Sequence, residues 1–225
     1  MNRTKRQESV VTPRLIAGSL GCVGLVLFVA QSIAFEPPIA RNELRSGTDF
    51  LSAEVRAMQD DDFANPGMLW VTRGERLWRE SVGASGKSCA GCHNDAASSM
   101  KGVAARYPRI DPAAGRLMNL EGRINECRVS NQSAKPLGYE SEELLALTTY
   151  VTYQSRGMPM NVTIDAQNGR EFERGRSLFQ RRIGQMNLAC AQCHDRNWGR
   201  TLFRDKLSQG HGTAFPAYRL EWQTL

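Results

Sequence analysis

Two short runs in this chain gather the groups needed to hold a porphyrin covalently: Cys89-Ala90-Gly91-Cys92-His93 and Cys190-Ala191-Gln192-Cys193-His194. The Cys-x-x-Cys-His pentapeptide is the attachment signature of c-type haem. Its two thiols add across the vinyl groups, and the adjacent histidine reaches the iron from the proximal side. A zinc site would want a second Cys-x-x-Cys or a His-x-His pair close by to complete four ligands. A thioredoxin-like redox motif would want a βαβ pattern and has no use for the histidine. The chain holds only three histidines, and two of them close these motifs. The reading is two covalently bound haem c groups. Cys89, Cys92, Cys190 and Cys193 tether them, and His93 and His194 are axial ligands of iron.

The elements that must position these groups repeat with the motifs, at a period of 101 residues. Gly74-Glu75-Arg76-Leu77-Trp78 begins fifteen residues before Cys89, and Gly175-Arg176-Ser177-Leu178-Phe179 begins fifteen before Cys190. Val82-Gly83 and Ile183-Gly184 also coincide. Each unit therefore opens with an amphipathic helix carrying a Leu-aromatic pair, ends it near a glycine and loops into the motif. The first unit then supplies a closing helix: Ser141 is a good N-cap, Glu142 and Glu143 suit the positive end of the helix dipole, and Leu144, Leu147, Tyr150 and Val151 recur at helical spacing. Gly157 and Pro159 end it, and Pro108, Pro112 and Pro136 mark a loop-rich middle that wraps the haem. The second unit has only 31 residues after His194, with no terminal helix pattern, and its apolar segment Tyr218 to Leu225 has no obvious packing partner. The expected architecture is mainly α: two tandem class I cytochrome c-like domains, 68–165 and 166–225, the second truncated. Residues 35–67, with the cluster Asp60, Asp61 and Asp62, read as a poorly patterned, solvated lead-in.

Residues 1–34 read as a signal peptide rather than part of the fold. Arg3, Lys5, Arg6 and Arg14 make a basic start, Leu15 to Ala34 carries no charge, and Ser32-Ile33-Ala34 places small residues for cleavage after Ala34. Leu20 stands where a lipidation signal on Cys22 would need a shorter residue. The sequence thus predicts export to the periplasm, where c-type attachment takes place, with no membrane association after cleavage. Removing this segment lowers the formal charge from +6 to +3, since 25 basic and 22 acidic residues remain. No basic stripe with interleaved aromatics is present, which excludes nucleic acid as a partner.

The sixth ligand decides what a haem does. For the first haem, Cys127 competes with Met158 and Met160, and residue chemistry alone leaves the choice open. Cys127 is the only cysteine after Ala34 outside the two motifs, and it lies in the helical-looking stretch Leu117 to Arg128. An unpaired thiol in an oxidising compartment calls for burial, bonding or ligation. A methionine ligand would instead make a plain dihaem electron carrier. For the second haem, nothing from Asp195 to Leu225 is Met or Cys, which leaves His211 as the candidate present. An open sixth position would suit peroxidase chemistry.

Taken in order, the two haem motifs, Cys127, Gln154-Ser155-Arg156-Gly157-Met158-Pro159 and the run from Gly212 to Gln223 resemble the SoxA family. These are dihaem c-type subunits of the SoxAX thiosulfate-oxidising complex, an L-cysteine S-thiosulfotransferase. The resemblance covers nearly the whole chain after Ala34. It implies His93/Cys127 ligation of the first haem and catalysis at the second, with a distal cysteine expected beyond Leu225 and therefore no catalytic cysteine in these residues. It also implies a SoxX-type monohaem cytochrome as partner, thiosulfate as substrate and the carrier protein SoxYZ as its acceptor.

Overall fold

A computed structural model describes residues 38–212 and 216–225. The expected signal segment, its cleavage site and Cys22 lie outside them, as do residues 213–215 of the C-terminal run. Two 3-10 turns, Arg41–Glu43 and Gly47–Phe50, precede helix α1 (Ala53–Asp60). Helices α2 (Met68–Arg79), α3 (Cys89–His93) and α4 (Ala96–Ser99) follow, then a two-stranded hairpin of β1 (Arg109–Asp111) and β2 (Arg116–Met118). Helices α5 (Leu120–Gln132) and α6 (Glu142–Tyr153) complete the first half. The second half holds α7 (Gly169–Gln180), α8 (Cys190–His194) and a small antiparallel hairpin of β3 (Thr201–Leu202) and β4 (Asp205–Lys206). The fold is mainly helical, as the sequence predicts.

The sequence repeat is also a repeat of structure. Both ends of α7 and of α8 stand 101 residues after the corresponding ends of α2 and α3. The connecting loops match as well. Val82 bridges Lys87 and Ile183 bridges Leu188, each around a glycine in the left-handed region, Gly83 at φ +66° and Gly184 at φ +73°. Only glycine takes that conformation without steric cost, so the loop geometry is written into the sequence twice.

Packing separates the two copies. The Ser141 side chain caps α6 by accepting from the Leu144 N–H at 3.3 Å, and the Arg73 guanidinium pairs with Glu142 and Glu143 in its first turn. Leu144, Leu147, Tyr150 and Val151 are buried, as the helical spacing predicts. Helix α6 crosses α2 at Gly74, where a Cβ would stand 2.1 Å from the Ala146 carbonyl oxygen. The glycine sets the distance of closest approach. At Gly175, its counterpart on α7, no described atom lies within 4 Å of such a Cβ.

The lead-in is more structured than its composition suggests. Asp62 pairs with Arg156 and accepts from the Tyr153 hydroxyl, so one member of the acidic cluster is tied to the end of the first unit. The C-terminal segment also finds partners. Leu225 is 6% exposed, and the Tyr218 Cβ lies 3.8 Å from a Cβ built at Gly67. Trp222 stays 70% exposed, under the Arg219 guanidinium. Among the described residues, no helix is long and apolar enough to cross a membrane.

Candidate functional site

In α3 the two thiols and the imidazole occupy positions i, i+3 and i+4, which share one face of a helix. Ser88 starts the helix by accepting from the Gly91 N–H at 2.9 Å. Trp78, carried by α2, donates its indole N–H to the Asn94 carbonyl at 3.1 Å and sets its ring 5.7 Å from that of His93. The end of the motif helix is thereby fixed to the buried core. Its start is fixed by Gln132, at the end of α5, whose amide donates to the Lys87 carbonyl at 3.1 Å and reaches the Cys89 sulfur at 3.8 Å. Met100, Leu120, Ile124 and Leu137 are partly buried against the core beside Cys89 and Ala90.

Cys127 lies on α5, electrostatically within reach of Cys89 and Cys92. Burial pushes both the Cys127 and the Cys89 thiol up. The Arg123 guanidinium opposes this at Cys127, favouring the anion there. Arg123 is held in turn by Asp111 at 3.3 Å and Glu126 at 2.9 Å. The Asp111 carboxyl sits below the usual carboxylate range, chiefly because the Ala114 and Ala113 N–H groups donate to it. Met158 and Met160 are more exposed, at 38% and 46%.

The second motif is built on the same plan with different supports. Phe179 replaces Trp78, its ring 6.3 Å from that of His194, and has no N–H to donate. Gln192 accepts from the Ala189 N–H at 2.8 Å, and Asn197 donates to the Gln192 carbonyl at 2.6 Å. The decisive contact lies downstream, where His194 Nδ1 is 2.9 Å from the Ser208 carbonyl oxygen. A carbonyl only accepts, so Nδ1 carries the proton and Nε2 keeps its lone pair for a metal. Gly210 closes over the ring, at φ +71° and with its Cβ position 3.0 Å from His194 Cγ. His211 turns its Nε2 toward Gln209 Oε1 at 3.1 Å.

Each motif thus offers two unpaired thiols and an imidazole on one short helix. Among the described residues no group of three or more His, Cys, Asp and Glu side chains could hold a bare metal ion. This donor set fits a covalently tethered haem and does not fit a zinc centre. Sequence reasoning missed Ser208, Gln209 and Gln132. A backbone acceptor leaves no mark in residue type, and an isolated glutamine carries no pattern. The one signal that could have pointed there is the pair of glycines flanking His211, a composition that favours a tight turn.

A family model for the SoxA/TsdA cytochrome c domain matches residues 73–160. The fold and the motif helices therefore define a c-type cytochrome, a helical protein that binds haem c covalently. The L-cysteine S-thiosulfotransferase subunit SoxA of Pseudaminobacter salicylatoxidans is 46% identical over 77% of this chain and 61% of its own length. SoxA of Rhodovulum sulfidophilum is 33% identical, covering 94% of this chain and 80% of that protein. The crystal structure of SoxXA from P. pantotrophus superposes with a TM-score of 0.76 at 37% identity, over 80% of this chain and 68% of that one. The chain belongs to the SoxA family. It spans about 61% of the length of the Pseudaminobacter relative.

Proposed function

We propose that this chain is the dihaem subunit of a thiosulfate-oxidising complex of the periplasm, where it couples thiosulfate to a cysteine of a SoxYZ-type carrier. The observation that carries this reading is the likeness to SoxXA. The reaction joins the outer sulfur of thiosulfate to the carrier thiol as a cysteine S-thiosulfonate, releasing one proton and two electrons. Haem c held at the second motif would supply one-electron redox chemistry, with a SoxX-type monohaem cytochrome as the route by which electrons leave. The residues of this chain have unequal parts in that scheme. Cys89 and Cys92 would tether the first group, and His93 and Cys127 would hold its iron. Anionic sulfur favours the ferric state and makes that centre a poor shuttle. Cys190 and Cys193 would tether the second group, and His194, held through Nδ1 by the Ser208 carbonyl, would offer Nε2 to its iron. The residues from Asp195 to Leu225 contain neither Cys nor Met, so no sulfur-carrying cysteine for the second centre lies among them.

The test is co-expression of the full-length protein with its monohaem partner, followed by incubation with thiosulfate and the carrier. Mass spectrometry of the carrier then reads the expected thiosulfonate adduct. Haem reduction without any adduct would assign the chain to plain electron transfer instead.

A further inference from the structure

The stretch before α1, which the sequence marks as solvated, is tied to the second half of the chain through Gln209. Gln209 is 4% exposed, although it sits in a loop beside the exposed Gly210 and His211. Its side-chain oxygen accepts from the Arg45 N–H at 2.8 Å, and its amide donates to the Glu43 carbonyl at 2.8 Å. One side chain thus makes the two main-chain bonds that a neighbouring β-strand would make, across more than 160 residues of sequence. Two more contacts seat the same stretch on the second half. The Arg45 guanidinium lies 5.9 Å from the centre of the Trp198 ring, and Phe50 meets that ring edge-on at 6.3 Å.

Gln209 stands between the two residues that hold His194. Ser208 accepts from Nδ1, and Gly210 packs on the imidazole ring. The first centre gets equivalent support from Trp78, Gln132 and the α5 and α6 packing. The second has Phe179 without a donor and, among the described residues, no closing helix. We infer that residues 43–50 form a strap belonging to the second haem centre. Gln209 is its positioning residue, transmitting the fixed backbone of the strap through Ser208 and Gly210 to the orientation and basicity of His194. A proximal imidazole whose Nδ1–H bond is held short and straight is a stronger donor to iron than one whose acceptor drifts. The strap therefore tunes the second haem and leaves the first untouched. This rests on haem c being attached at Cys190 and Cys193.

The test uses the full-length protein with its monohaem partner and compares wild type, Gln209→Ala, Gln209→Glu and Arg45→Ala. Haem content is measured first by mass spectrometry of the chain. A wild type without haem on Cys190 and Cys193 overturns both the inference and the reading beneath it. With that haem present, Gln209→Ala is expected to keep full haem content and to shift the reduction midpoint and low-spin EPR signal of the second haem alone. Amide exchange at Arg45 should rise about tenfold, the loss of one ordinary hydrogen bond. Gln209→Glu preserves shape and the bond from Arg45 but opposes the Glu43 carbonyl, so it gives a smaller shift at the same haem; it decides the matter if the alanine variant does not fold. Arg45→Ala keeps the main-chain N–H to Gln209 but loses the guanidinium contact on Trp198, so its midpoint shift is expected at the same haem and smaller than that of Gln209→Ala. Faster exchange at Arg45 with both haem signals unchanged would show that Gln209 is only a fastener and would overturn the inference.

Discussion

Asp111 shows how much of the first centre hangs on single contacts. It accepts from the Ala113 and Ala114 N–H groups at 2.8 and 2.7 Å and pairs with Arg123, which in turn faces Cys127. Its carboxyl is held below the ordinary value, so its contribution is present above the unfolded-state pKa of about 4 and is lost as pH falls through the lower folded value. Asp111→Asn is therefore expected to lower the urea midpoint at neutral pH, with the difference shrinking on acidification below about pH 4. Cys127→Ala tests the proposed ligand directly. Both thioether tethers of the first haem should survive, while thiolate-type absorption disappears. Unchanged spectra would return the sixth position to Met158 or Met160. Residue type singled out Cys127 and the motif residues. It did not single out Arg123, because one arginine among many has no signature until its neighbours are known.

The two opening helices separate local pattern from packing. Helices α2 and α7 share a length, a repeat position and an internal glycine, yet only Gly74 lies under a crossing helix. Gly74→Ala must push α6 away or bend α2, at a cost of about 2–3 kcal/mol as for other overpacked sites. Gly175→Ala in the 225-residue chain meets open space and gains helix propensity, so it should be neutral or stabilising by up to about 1 kcal/mol. Thermal melts of the two variants check both signs. The elements themselves were legible in advance. The Ser141 cap, the Leu-aromatic pairs and the apolar spacing of α6 are local signals, and each helix formed where those signals placed it. The lead-in is mostly exposed, as its composition predicts, and the order within it was not legible for the complementary reason. Its order comes from bonds to Trp198, Gln209 and Arg156, all distant in sequence.

At the scale of the whole molecule, charge is divided as unevenly as packing. Residues 166–225 carry ten Lys and Arg against five Asp and Glu, whereas residues 38–165 carry fifteen against sixteen. The excess lies in the same stretch of sequence as the motif proposed to do the chemistry, and its field should draw in an anion such as thiosulfate. Reversing the exposed pair Arg181 and Arg182 to glutamate is expected to slow turnover at low ionic strength by roughly 3–10-fold. That difference should fade as salt shortens the screening length to a few ångströms. A stopped-flow series in salt reads it, and a deficit that persists at high salt would point to a direct contact instead of steering.

The sequence by itself determined the two Cys-x-x-Cys-His motifs, the 101-residue period and the helical class. Each of these depends on the chemistry or periodicity of residues within a few turns of one another. That the copies differ downstream was legible too; only the tertiary structure decided which groups hold each one. The closure of α6 over Gly74, the Ser208 carbonyl behind His194 and the strap pinned by Gln209 depend on backbone groups and close approaches between distant segments. A backbone carbonyl is the same at every residue, so which one meets a histidine is settled by the path of the folded chain.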